Sequence, residues 1–252
     1  MSVTDAGDRT EDRTAGAMAA IETATETVAV AVRTGAGVQA ELALTGRRRH
    51  VETLTPALGH LLAQTGLVPA DLGTVAVDVG PGLFTGLRVG VAAAKGLAQA
   101  LGIGVITATS LDILVAGAAA AGHRGPVLAC VDARRGEVFA TVRLATAEGV
   151  AAESLAPGLF APDQLVAALA RLAGAPAVAV GDGAQRYAEV LRAVEGLDVV
   201  EPALSYPPPV ALLDLAREHL EAGRAPVEPG CVVPLYMREA DARSNFARAA
   251  RA

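Results

Sequence analysis

The sequence predicts an α/β protein of two similar lobes, each a mixed sheet flanked by helices. Apolar, β-branched runs alternate with segments of helical periodicity along most of the chain, as in a sheet with helices packed across it. One unit of strand, turn and strand also occurs twice, AAIETATETVAVAV at 19–32 and LACVDARRGEVFATV at 128–142, about a hundred residues apart. In each copy an apolar strand ends in an acid, Glu22 or Asp132, and a polar turn leads into a second strand. Each acid keeps the same distance from that second strand, Glu22 to Val28 and Asp132 to Val138.

Residues 1–17, MSVTDAGDRTEDRTAGA, are polar and mixed in charge, lack the apolar stretch of a signal peptide, and are expected to form a disordered tail. AAIE (19–22) and TVAVAV (27–32) read as paired strands, and Gly35 and Gly37 turn the chain into VQAELALT, a third strand. Arg47-Arg48-Arg49-His50 is a basic run best read as a solvated loop before a helix. Apolar residues at 51, 54, 58, 61 and 62 then share one helical face. Pro56 has no N–H to give and is expected to kink that helix or restart it after Thr55. TVAVDV (74–79) is a strand, Phe84 to Leu101 a helix, GVITATS (104–110) a strand, and Leu111 to Ala121 a helix ended by Gly122. In the second half, Pro162 opens a helix in PDQLVAALARLAG (162–174). AVAVGDGA (177–184) is a strand and a glycine turn, Gln185 to Val194 a helix, SYPPP (205–209) a linker, and Val210 to Ala222 the last helix. These divide into a first lobe at 18–121 and a second at 122–252, with helix 210–222 expected to pack back on the first.

Several function classes are excluded by composition. The formal charge of −6 argues against a general nucleic-acid binder. Aromatic residues make up 3% and there is no Trp, so the core must be Ala, Val and Leu. Among 21 basic residues only Lys95 is lysine. Cys130 and Cys231 stand far apart without a CxxC, which points to reduced thiols in a cytoplasmic protein. Val89 to Ile106 is apolar, but Lys95, Gln99 and several glycines interrupt it, so it reads as a buried helix and strand and no membrane segment is expected. There is no GxxxxGK[ST] and no HExxH; His50, His60, His123 and His219 lack ligand spacing, and Ser110 lacks a GxSxG elbow. No catalytic residue and no metal ligand is assigned.

VGPGLFTGLRVG (79–90) resembles a phosphate loop, yet its glycines fall mostly inside the following helix. Gly86, Gly90 and Ala94 are spaced i, i+4, i+8 and form one ridge. Each helical glycine costs on the order of 1 kcal/mol relative to alanine. Close approach of another backbone, within the fold or across an interface, compensates such a ridge.

Lobe duplication with an acid ending each first strand is the plan of the actin-like, ribonuclease H-like ATPases, where acids and hairpins grip a nucleotide between the lobes. The equivalents here are Glu22 with Thr23 and Thr25, Asp132 with Arg134, and the GDG turn at 181–183 with its Gly181 and Gly183. The plainer reading is that the acids cap turns.

GPGLFTGLRVGVAAAKGLAQALG (80–102) resembles the GPGSFTGLRIG signature of the bacterial TsaB (YeaZ) family, with Leu83 where that family has Ser. AAIETAT is similar to its opening strand, with Glu22 for Asp, and RRRHVETLTPAL to its RxHSExLLPxI helix, with Val51 for Ser. VDARRGEVFA and PLYMRE match its DARxGEVY and PxYLR segments. The resemblance implies a non-catalytic subunit that activates a TsaD-type transferase in forming N6-threonylcarbamoyladenosine on tRNA. It further implies a TsaE-type ATPase as a second partner, a homodimer through the same surface, and contact with tRNA mainly through the complex. No tightly bound cofactor is expected; ATP or ADP at the cleft or the partner interface is the one candidate. On the first two helices the resemblance assigns partner contacts to His50, Leu54, Leu58, Phe84, Gly86, Leu87, Arg88, Gly90, Val91 and Lys95. An ATPase or kinase acting at the Glu22/Asp132 cleft is the main alternative. A glycoprotease-like peptidase ranks last, because no nucleophile–base pair supports it.

Overall fold

The computed structural model describes residues 16–238 apart from 47–49, 148, 173, 175 and 200–201. The Arg47–Arg49 run and all but the last two residues of the expected tail lie outside the described residues.

The first sheet holds β1 (Met18–Glu22), β2 (Thr27–Arg33), β3 (Gln39–Thr45), β4 (Thr74–Asp78) and β5 (Val105–Ala108), ordered β3-β2-β1-β4-β5. β1, β2 and β3 form an antiparallel meander, and β4 and β5 add in parallel on the other side of β1. The second sheet repeats this plan with β6 (Gly125–Arg134), β7 (Glu137–Thr146), β8 (Gly149–Phe160), β9 (Val178–Val180) and β10 (Asp198–Val199), ordered β10-β9-β6-β7-β8. Its meander is again antiparallel and its last two strands parallel. Glu22 faces Ala29 across the first hairpin and Asp132 faces Val138 across the second, so both acids lie where the first strand of a hairpin ends, although Glu22 pairs one residue beyond the Val28 of the equal spacing.

Helices α1 (His50–Thr65) and α2 (Phe84–Leu101) cover one face of the first sheet. There Leu54, Leu61, Val91, Ala94 and Ala98 pack on Ile21, Val30, Val75 and Val77. α1 runs through Pro56 without restarting. Pro56 and Glu52, whose carbonyl loses its helical partner, are both exposed, so water can satisfy that carbonyl. α2 closes on Gly102, whose φ of 68° lies in the left-handed region that glycine adopts freely.

The opposite face of this sheet carries α3 (Ser110–Ala120) and α7 (Pro209–Glu221), where Ile113, Leu212, Leu213 and Ala216 meet Ala20, Ala76 and Ile106. Leu111, Leu114 and Val115 of α3 turn instead to Ala129 and Val131 of the second sheet. α3 is therefore apolar on nearly every side, as a helix between two sheets must be. The far side of the second sheet is closed by α4 (Pro162–Leu169), α5 (Asp182–Arg186) and α6 (Ala188–Leu191).

Three elements differ from expectation. β8, GVAAESLAPGLF, is rich in Gly, Ala and Pro and has little strand propensity; irregular pairing with β7 forms it. β10 is only two residues. The helix expected at 185–194 is two short helices broken at Tyr187, and Asp182 and Gly183 already belong to the first of them. Among the described residues no helix is long and apolar enough to cross a membrane.

Candidate functional site

Four acids lie where the strands of the two sheets end. Glu22 closes β1, Asp78 closes β4, Asp132 lies near the end of β6, and Asp182 follows β9 by one glycine. Glu22 and Asp78 are completely buried. Glu22 Oε1 accepts the Ala24 N–H at 2.7 Å, and Oε2 has no hydrogen-bond partner. Asp78 Oδ1 accepts the Gly80 N–H at 2.7 Å and the Ser110 hydroxyl at 2.8 Å, while its Oδ2 is likewise unpartnered. Burial, and then the charge of Asp78, hold the Glu22 carboxyl well above the ordinary carboxylate range. Burial raises Asp78 to about 7 and Asp182 to about 6.

The second hairpin turns on Arg135 and Gly136, with φ of 57° and 85°, the backbone a two-residue hairpin requires. Arg134, at a bulge with φ of 62°, reaches both ways. Its guanidinium donates to Asp132 Oδ2 at 2.9 Å and, across the cleft, to Glu26 Oε1 at 2.5 Å. Asp132 also accepts the Arg134 N–H at 2.9 Å and stands 3.5 Å from Arg186, while its own N–H goes to Asp182 Oδ1. Both hairpins thus turn amides onto the chain's own acids. The Thr23 hydroxyl is held by the Gly86 carbonyl at 2.8 Å. Among the described residues no three His, Cys, Asp or Glu are grouped to hold a metal ion.

The helix glycines serve this chain's own fold. A Cβ on Gly86 would run into the Thr23 carbonyl oxygen, and one on Gly90 into the Thr23 hydroxyl. The ridge faces the β1–β2 turn, so Gly86 and Gly90 do not make room for a partner's helix. Gly181 and Gly183 are equivalent in the second lobe: side chains there would strike the Cys130 carbonyl and the Val131–Asp132 backbone. They bring α5 against the end of β6 and offer no open phosphate loop.

Of the other residues assigned to a partner, His50, Leu54, Leu87 and Val91 are also buried in the chain. His50 Nε2 donates to the Thr25 carbonyl at 3.0 Å, which fixes the proton on that nitrogen. Leu58 is half-buried against the first core. Lys95 donates to the Gly230 and Val232 carbonyls at 3.3 and 3.0 Å, pinning the C-terminal strap. Phe84 and Arg88 remain on the open face. The Arg88 guanidinium lies 3.7 Å over the Phe84 ring and donates to the Tyr236 hydroxyl at 3.0 Å. Phe84 and Tyr236 rings sit 5.2 Å apart. Beside them a groove of about 440 Å³ between α1 and α2 is lined by Val51, Leu54, Thr85, Val89 and Ala92, among others. Val51 is 71% exposed there.

The motifs alone did not single out Asp78 or Tyr236 as site residues, and they marked Asp182 only as the middle of the GDG turn. A signal for Asp78 was present, because TVAVDV ends its apolar strand in an acid as AAIE does. Tyr236 joins the α2 face only through the tertiary path of the strap, which also bonds Leu235 N–H to the Val79 carbonyl at 2.7 Å.

Two sheets with one strand order, and acids at matching strand ends, define a two-lobed actin-like protein of ribonuclease H-like topology. The chain belongs to the family described as "TsaD: tRNA N6-adenosine threonylcarbamoyltransferase", whose model matches residues 20–245, and within it to the TsaB/YeaZ proteins. The Escherichia coli tRNA threonylcarbamoyladenosine biosynthesis protein TsaB is 29% identical over 219 residues, 87% of this chain and 93% of that protein. An uncharacterized protein of Mycobacterium tuberculosis is 35% identical over 227 residues, 89% of this chain and 92% of its own. The structure of YeaZ from Pseudomonas aeruginosa superposes with a TM-score of 0.74 at 25% identity, covering 88% of this chain and 99% of that one.

Proposed function

We propose that this chain is the non-catalytic subunit that binds and activates a TsaD-type threonylcarbamoyltransferase in forming N6-threonylcarbamoyladenosine on tRNA. The observation that carries the reading is the contrast between its two candidate surfaces. At the cleft, the hairpin amides that could hold a phosphate are bonded to Glu22, Asp132 and Asp182, and Arg134 ties the hairpins together through Glu26. ATP or ADP would meet engaged donors and a concentration of acids there, so the residues do not fit a nucleotide. On the outer face, α1 and α2 expose Val51, Phe84 and Arg88 around an apolar groove, a surface suited to another helix pair. The names of the curated TsaB relatives supply the pathway, and the transfer chemistry belongs to the partner. The same face pairs two copies of this chain when the transferase is absent, and a TsaE-type ATPase and tRNA are reached through the complex in the cytoplasm.

Co-expression with the transferase of the same organism, followed by gel filtration, tests this. Co-elution is expected, and Arg88→Glu should abolish it while leaving the circular dichroism spectrum of the isolated chain unchanged. Separate monomeric peaks at micromolar concentration would overturn the reading. So would calorimetric binding of Mg-ATP that Asp132→Ala removes, because that outcome assigns the cleft an activity of its own.

A further inference from the structure

The β1–β4 ladder runs in parallel from Met18 opposite Thr74 to Ile21 opposite Val77. The next step sets Glu22 beside Asp78, on the sheet face shared by Ala20 and Ala76, with the strands about 5 Å apart. Both side chains are wholly buried, and each has one hydrogen-bonded oxygen and leaves the other without a donor. Two ionised carboxylates in this position would each keep one buried oxygen without a hydrogen bond and would repel each other, which buried polar groups do not sustain. A single proton held by the pair removes the repulsion, since one carboxyl is then neutral and its O–H is a donor next to a carboxylate that lacks one.

We propose that Glu22 and Asp78 share one proton across the β1–β4 pair, and that this proton keeps the two loops leaving those strands docked on each other. Those loops are the β1–β2 turn and Gly80–Leu83. They meet through the bond from Leu83 N–H to the Ala24 carbonyl at 2.6 Å, and Gly86 seats on Thr23 immediately beyond. The other groups facing the pair fit this arrangement. The Ala24 amide serves Glu22, and the Ser110 hydroxyl and Gly80 amide serve Asp78. Asp182 adds negative charge toward Glu22 and Asp112 toward Asp78, so the acids around the pair also favour keeping a proton. His50 donates to the Thr25 carbonyl on the far side of the turn and not to either acid. The proton is drawn from solvent when the chain folds, and no other bond is made or broken. The inference is independent of any partner.

Linkage sets the sign. Unfolded carboxylates have lost their protons by pH 6, whereas the folded pair still holds one. Folding therefore takes up a proton, and the folding constant falls by up to tenfold per pH unit until the pair releases it. Urea unfolding of the full chain between pH 6.5 and 8.5 is the test. Wild type should lose stability with rising pH. Glu22→Gln and Asp78→Asn, which each remove a charge and supply an N–H, should remove that slope, while Asp182→Asn should retain it. Isotope-edited infrared spectra of the wild-type chain labelled at Asp and Glu should show a protonated carboxyl band at pH 7 that disappears at high pH. That second reading stands even if the variants do not fold. The absence of this band at pH 7, or an unchanged slope in both Glu22→Gln and Asp78→Asn, would overturn the proposal.

Discussion

Replacing Gly86 with alanine puts a methyl group where the Thr23 carbonyl oxygen lies, at the point where α2 crosses the β1–β2 turn. The obstacle is backbone, so no side chain can swing aside. Overpacking of this kind costs about 1–3 kcal/mol, and a collision with a fixed carbonyl belongs at the upper end. Pushing α2 away also stretches the buried bond from the Thr23 hydroxyl to the Gly86 carbonyl, worth about 1 kcal/mol. Alanine returns about 1 kcal/mol through its helix propensity. The net expectation is a loss of roughly 2–3 kcal/mol. Gly96 lies in the same helix with open space around it, so Gly96→Ala should gain about 1 kcal/mol from propensity alone. Urea titration followed by circular dichroism measures both, provided the slope with denaturant is unchanged. If the two substitutions shift stability in the same direction, the ridge does not face Thr23 and α2 does not crowd the turn.

Other expectations concern capping and the strap. Thr109 caps α3 by accepting the Asp112 N–H at 3.0 Å, so Thr109→Ala should cost about 1 kcal/mol in the same titration. Lys95→Met keeps the apolar stem and removes the two bonds to the strap. Amides of residues 230–236 should then exchange with solvent about tenfold faster, with little change in global stability. The Arg134–Glu26 pair is half exposed, so a double-mutant cycle on it should return less than about 1 kcal/mol.

The duplicated hairpins were legible because their pattern is local: period-two apolar residues, a terminal acid and a polar turn carry the same meaning wherever they fold. β8 was not, because its Gly, Ala and Pro residues are recruited by the neighbouring strand β7 rather than by their own propensity. The break at Tyr187 was likewise not legible, since the run from Gln185 to Val194 carries no proline or glycine to mark it. For the candidate site, one acid per lobe was evident from the repeat. That Asp78 joins Glu22 and Asp182 joins Asp132 was not, because strands β4 and β9 lie far along the chain from β1 and β6 and become their neighbours only when the sheets assemble.

The sequence by itself determined the two-lobed α/β plan, the family, and the presence of a glycine ridge along α2. A helical spacing of i, i+4 defines a face without saying what that face meets, so its direction had to come from the tertiary structure. The fold turns Gly86 and Gly90 inward onto Thr23 and leaves Phe84, Arg88 and Val51 outside. It also sets Glu22 beside Asp78, because burial and strand register depend on contacts between residues that are distant in the chain.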